Sequence, residues 1–122
     1  MAEGAKVVIN LATGLEDPER VLVAFLVGSA AAEQGRKVVM FLTKDAVRLA
    51  VAGVAMGVAC DGCPPLERLF QQYAENGGEL LVCPICVTAR KIPEEFVGNA
   101  RLGGATPLWD WVGDEAATVF SY

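Results

Sequence analysis

Three short runs constrain the fold of this chain most: Lys6–Leu11 (Lys-Val-Val-Ile-Asn-Leu), Lys37–Leu42 (Lys-Val-Val-Met-Phe-Leu) and Glu79–Cys83 (Glu-Leu-Leu-Val-Cys). Each is rich in β-branched or large apolar residues, with almost no polar alternation. Such a strand is buried on both faces, as parallel strands are when helices cover both sides of a sheet. The segments between the runs carry helix signals. Asp17 precedes Pro18, an N-cap followed by proline at the first helical position. The helix predicted there runs from Pro18 to about Gln34 and stops at Gly35. Its middle, Val21 to Ala32, is apolar almost all round. That predicts burial on more than one side, against another subunit as well as the sheet.

Further along, Lys44–Leu49 opens a short helix, 50–59 has no clear period, and Cys60–Pro65 reads as a turn or loop. Leu66 to Asn76 is amphipathic, with Leu66, Leu69, Phe70 and Tyr73 in one stripe, and Gly77-Gly78 ends it. Thr88–Lys91 begins a helix or turn after the third strand. Ile92–Val97 reads as a short helical turn, Ala100–Leu102 as a short strand, Pro107–Val112 as a helix and Ala117–Phe120 as the closing strand. Strands alternating with helices imply an α/β fold with a mostly parallel sheet, one domain over residues 1–122. Ligands in such folds bind beyond the carboxyl ends of the strands. Gly14, Lys44 and Cys86 gather on that rim.

Composition narrows the chemistry. A chain of 122 residues can bury one core without disulfides. The formal net charge of −5, with no Lys/Arg cluster, argues against a nucleic-acid surface. There is no histidine, which excludes a Ser-His-Asp triad, a Cys-His pair and imidazole metal ligation within one chain. Met1–Lys6 lacks the pattern of a secretory leader. The longest apolar stretch, Val21 to Ala32, is too short to cross a bilayer. The expectation is a cytoplasmic protein that binds no membrane, its four cysteines mostly reduced.

The richest local chemistry lies in Leu80-Leu81-Val82-Cys83-Pro84-Ile85-Cys86-Val87-Thr88-Ala89-Arg90-Lys91. It sets a thiol at the carboxyl end of a strand and near the start of a helix. Free N–H groups and the helix dipole favour a negative charge there. Arg90, one turn beyond Cys86, and Lys91 add positive potential. A thiolate is the reactive form of cysteine, so the expectation is a depressed pKa at Cys86. Three chemistries fit. In sulfur transfer, a Cys86 thiolate takes the outer sulfur of a donor persulfide and passes it on. In dithiol redox work, Cys83 attacks and Cys86 resolves. In a metal site, Cys60-x2-Cys63-x19-Cys83-x2-Cys86 approximates a four-cysteine zinc pattern. The bland alternative is that Cys86 is a small buried hydrophobe. Without metal, Cys60 and Cys63 are ordinary loop thiols or a second redox pair facing the rim.

The order of elements, together with Cys83-Pro84-Ile85-Cys86-Val87-Thr88-Ala89-Arg90 after the third main strand, resembles the DsrE/DsrF-like sulfur-relay family, which includes the TusD-type carriers and YchN-like proteins. The resemblance runs from Val7-Ile9-Asn10 and Gly14, through Asp17 and the long apolar helix, to Val119-Phe120. It implies a three-layer α/β/α domain with a five-stranded parallel sheet. It also implies homo-oligomers, often trimers or hexamers, or hetero-hexamers, with sulfur donor and acceptor proteins as partners and no cofactor. In the carriers, a cysteine ahead of a small-residue and arginine segment accepts sulfur as a persulfide. The matching position is Cys86. Cys83 forms the Cys-x-x-Cys pair that other members carry at this point. Whether such a chain is an enzyme or a carrier stays open.

The remaining candidates are supporting ones. Asn10 and Thr13 are placed beside Cys86 as pocket residues. The turn Thr13-Gly14-Leu15 lacks a phosphate-loop spacing and reads as a strand-to-helix turn. Trp109 and Trp111 are read as core residues, with covering the rim or filling a subunit interface as the alternatives. Lys44 and Asp45 follow the second strand, exposed or in contact with a ligand.

Overall fold

A computed structural model describes residues 5–122, so the reading of the leader at 1–4 lies outside it. Strands β1 (Lys6–Leu11), β2 (Lys37–Leu42), β3 (Glu79–Val82), β4 (Ala100–Leu102) and β5 (Ala117–Ser121) form one sheet in the order β4-β3-β2-β1-β5. Every pairing is parallel. The helices are α1 (Pro18–Glu33), α2 (Leu66–Glu75), α3 (Pro84–Ala89) and α4 (Ala105–Val112). This is an α/β fold, as the apolar runs predict.

Period-two alternation sorts the strand residues between two faces. Val7, Ile9 and Leu11 of β1 join Val38, Met40 and Leu42 of β2 in the larger core, under α1 and α2. There Phe25 meets Tyr73 edge-on at 5.7 Å and Phe70 at 5.3 Å. Val8, Val39 and Leu81 point the other way, to Leu108, Trp111 and Val112 of α4. Two glycines permit the close approach of α1 and α2 to the sheet. A Cβ on Gly28 would press on Ile9, Met40 and Tyr73, and one on Gly78 would enter the Tyr73 ring.

The start of α1 follows its sequence signal. Asp17 Oδ1 accepts a hydrogen bond from the Arg20 N–H at 3.1 Å. Asp17→Ala leaves that N–H to water and is expected to cost about 1 kcal/mol of stability. Urea unfolding measures it. The helix ends at Glu33 with Gln34 as its C-cap, and Gly35 beyond it takes φ +83°, a conformation glycine adopts without Cβ strain.

Three local expectations are corrected. The helix after β3 starts at Pro84 and ends at Ala89, so it stops where Thr88–Lys91 was to begin it. Proline at the first position with Cys83 as N-cap is the reason, the arrangement seen also at Asp17-Pro18. Ile92–Val97 is not helical; Phe96 instead forms an antiparallel bridge with Val51. Trp109 is 72% exposed rather than in the core. Trp111 does pack against the sheet: its indole donates to Glu79 Oε2 at 2.8 Å and its ring lies under the Lys6 ammonium.

Candidate functional site

The carboxyl rim of the sheet is built by chain continuity. Beyond β2, the Thr43 N–H donates to the Leu11 carbonyl, and beyond β3 the Cys83 N–H donates to the Leu42 carbonyl. The ladder therefore carries Cys83 and Lys44 onto one edge. Lys44 then adopts φ +51°, an uncommon conformation for a residue with a side chain. The chain turns there into a 3₁₀ helix, Lys44–Ala50, which packs beside α3.

Cys86 is the third residue of α3 and half-buried. Its Sγ accepts the Lys44 backbone N–H at 3.0 Å. Cys83, also a free thiol and half-buried, is its neighbour. Arg90 lies one turn on and donates from Nη1 to the Cys86 carbonyl at 3.4 Å. Its Nε also lies 3.7 Å from Asp45 Oδ1. Asp45 binds three ways at once: Arg48 at 2.6 Å, Arg90, and the Leu15 N–H at 3.2 Å through Oδ2. The Arg48 hydrogen bond is the main reason its carboxyl lies below the usual range. Burial opposes that, and the Leu15 N–H and the charges of Arg48 and Arg90 reinforce it. Asp45 thus stays ionised and ties the β1–α1 turn to the helix that carries Cys86.

This arrangement corrects the expected ionisation of Cys86. Its pKa is raised, not lowered. Burial is the largest cause, and the hydrogen bond and charge of Cys83 push the same way. The Lys44 N–H opposes them, and Arg90 opposes them least. The reasons are local. The six-residue α3 carries a short dipole, and Arg90 already faces the Asp45 carboxylate. Cys83→Ser removes the neighbour that resists ionisation while keeping a hydroxyl there. At neutral pH, Cys86 alkylation is expected to speed up, by roughly threefold for each pKa unit recovered, since the larger thiolate fraction is partly offset by lower nucleophilicity. Iodoacetamide rates against pH measure the shift.

The structure gathers Cys83, Cys86, Arg90 and, through Asp45, the Gly14 turn. Asn10 is not part of that group. Its side chain faces β5, donates to Ser121 Oγ at 3.4 Å, and lines a cavity of about 300 Å³ with Trp109 and Val119. Thr13 is half-buried in the turn, and none of the side-chain hydrogen bonds among the described residues involves it. The four-cysteine zinc arrangement is also corrected. Cys60 and Cys63 are bonded to each other as a disulfide. Among the described residues, no three His, Cys, Asp or Glu side chains gather as a metal site. That disulfide also departs from the expectation of mostly reduced cysteines, since two of the four are joined. Sequence reasoning placed Lys44 on the rim but missed that its backbone N–H, rather than its ammonium, meets the sulfur. The pinning role of Asp45 was missed too. Its position three residues before Arg48 was the available signal for half of it.

Residues 5–121 match the DsrE/DsrF-like family. An uncharacterised protein of Methanopyrus kandleri, MK0008, is 30% identical over 103 residues, 84% of this chain and 82% of that protein. Among solved structures, the YchN protein of E. coli superposes with a TM-score of 0.76 at 17% identity, covering 97% of this chain and 99% of that one. A protein of unknown function from Methanobacterium thermoautotrophicum, MTH1491, gives 0.68 at 11% identity, covering 94% and 98%. The two superpositions confirm the fold, and the match over nearly the whole chain settles its membership: this protein belongs to the DsrE/DsrF-like family.

Proposed function

We propose that this protein is a sulfur carrier whose Cys86 holds the sulfur as a persulfide. The observation that carries the reading is the half-exposed Cys86 sulfur on the carboxyl rim, hydrogen-bonded by a backbone N–H at 3.0 Å. That donor cannot titrate, so it favours the anion at every pH. The step balances without an oxidant. Cys86 loses its proton and its Sγ attacks the outer sulfur of a donor persulfide. The donor's S–S bond breaks, the donor thiolate takes up a proton, and Cys86–S–SH remains. An acceptor thiolate then repeats the exchange. Because burial raises the Cys86 pKa, a docked partner that supplies a base or a positive charge favours the reactive thiolate. Ile85, 79% exposed next to Cys86, offers an apolar contact for such a partner.

A homo-oligomer, trimer or hexamer, accompanies this reading. α1 exposes Val23 and Leu26, and the edge strand β5 exposes Val119 and Phe120. A groove of about 500 Å³ lies between them, lined by Val7, Val27, Ala31 and Phe120. Apolar residues left outward on an edge strand and a helix fit a contact between copies. Localisation in the cytoplasm goes with it; no helix of the described residues is long and apolar enough to cross a membrane.

The test is a two-step transfer. The protein is loaded from a donor carrying isotopically labelled persulfide sulfur, freed of donor, and given an acceptor thiol. A carrier keeps the label until the acceptor arrives and then hands it over as persulfide. Label lost as sulfide before the acceptor is added, with Cys83 and Cys86 left joined, would mean dithiol redox chemistry instead.

A further inference from the structure

The Cys60–Cys63 pair takes no part in the chemistry above. It lies in the segment that leaves β2, crosses the rim and enters α2. In a parallel sheet the connecting helix runs back against the strands, so the segment before α2 sits at their carboxyl ends. The pair therefore shares the rim with Cys83 and Cys86. Its sulfurs are half-buried against the edge of the main core, while Asp61, Gly62, Pro64 and Pro65 around them are exposed.

The loop's own main-chain hydrogen bond supports the geometry of the pair. The Cys63 N–H donates to the Cys60 carbonyl at 3.2 Å, which closes a four-residue turn. Gly62, third in that turn, takes φ +76°, the conformation a type II turn requires there. The two Cα atoms stand 5.4 Å apart. A dithiol in this turn is thus already placed to close, and the disulfide can open without refolding the loop. With a sequence separation of 3 the bond closes a very short loop, so it restricts the unfolded chain far less than a long-range disulfide does. A bond that adds little to stability, stands at an accessible turn and is held ready to reform has the properties of an exchanging disulfide rather than a staple.

We propose that Cys60-Asp61-Gly62-Cys63 is a second thiol-exchange centre on this rim, cycling between disulfide and dithiol with a dithiol as its reductant. A thiolate of that reductant attacks one sulfur of the Cys60–Cys63 bond. The bond breaks as the mixed disulfide forms, and the departing cysteine leaves as thiolate and takes a proton from water. The reductant's second thiol then attacks the mixed disulfide, closes its own disulfide and releases the other cysteine. Two electrons pass to the pair, and a disulfide of the same class reoxidises it. This centre does not depend on Cys86 carrying sulfur.

The full-length Cys83→Ser/Cys86→Ser protein isolates the pair, so its behaviour is read separately from the relay chemistry. The oxidised protein is mixed with dithiothreitol, or with a reduced Cys-x-x-Cys protein at equal thiol concentration, then quenched with an alkylating agent and mapped. The proposal expects Cys60 and Cys63 to become alkylated at a rate proportional to dithiol concentration and unchanged by urea below the unfolding transition. Reoxidation by oxidised glutathione should restore the closed pair. The faster of the two reductants tells a protein dithiol from a small one. Opening at a rate independent of dithiol and accelerated by mild urea would show a bond released only by unfolding, and would overturn the proposal. So would a pair that neither opens under native conditions nor closes again.

Discussion

Cys86→Ser is expected to abolish sulfur uptake from a persulfide donor, while the protein keeps its fold and melting temperature to within a few degrees. A serine hydroxyl ionises far above the physiological range and does not form a stable persulfide. The loss is therefore complete rather than graded. The fold is spared because the side chain is half-exposed and small, and its hydrogen bond from the Lys44 N–H is one an oxygen can also accept. Cys83→Ser serves as the internal control. It leaves the attacking sulfur in place and eases its ionisation, so uptake persists. The two variants also separate the alternatives within this pair. If Cys83 were the nucleophile and Cys86 the resolver, Cys86→Ser would trap a mixed disulfide on Cys83 and Cys83→Ser would be silent. Mass spectrometry of the two variants after exposure to donor distinguishes these patterns.

Gly14→Ala is expected to destabilise the protein by about 3 kcal/mol, the upper end of overpacking costs, and to disturb the site as well. Gly14 is buried, and a Cβ there falls inside the van der Waals surface of the Asp45 carbonyl group, with Asp45 Oδ2 only 2.8 Å away. The obstacle is main chain, which cannot swing aside as a side-chain tip does. The requirement for glycine here is one of space, because among the described glycines φ lies in the left-handed region at Gly35, Gly53, Gly62, Gly77 and Gly113 and not at Gly14. Relief must come from moving the start of the 3₁₀ helix Lys44–Ala50. That carries the Lys44 N–H away from Cys86 and loosens Asp45 from Arg90 and Leu15. Losing a donor that favours the anion raises the Cys86 pKa further. Urea unfolding should show a lower midpoint with an unchanged slope, and Cys86 alkylation at neutral pH should slow. A stability equal to wild type would mean that the turn and the 3₁₀ helix are not packed as described.

Much of this fold was legible because its strands obey a strong rule. Lys6–Leu11 and Lys37–Leu42 are apolar on both faces, and a parallel sheet between helices is what such runs form. Asp17-Pro18 announced α1 by capping chemistry alone. The misplacement of α3 came from reading Cys-Pro-Ile-Cys as a strand end rather than applying the same proline rule at Pro84. The pairing of Phe96 with Val51 links segments 45 residues apart in sequence and leaves no local signal.

The site was legible in its residue types and not in its electrostatics. That a cysteine, a basic residue and a strand end meet at Cys86 follows from spacing. Whether its thiol is easier or harder to ionise depends on how deeply it is packed and on which carboxylate claims Arg90. Both are tertiary facts, and Asp45 reaches the site from 41 residues away. Asn10 shows the complementary limit. One residue of register decides which face of the sheet a strand residue serves, and Asn10, like Val8, serves the face that α4 covers.

The most direct measurement is the intact mass of the native protein after exposure to a persulfide donor, with peptide mapping and a parallel sample treated with reductant. The account predicts a gain of one sulfur atom on the peptide carrying Cys86, removed by the reductant, with Cys60–Cys63 mapped separately. A protein that gains no sulfur and instead loses two hydrogens between Cys83 and Cys86 would contradict it.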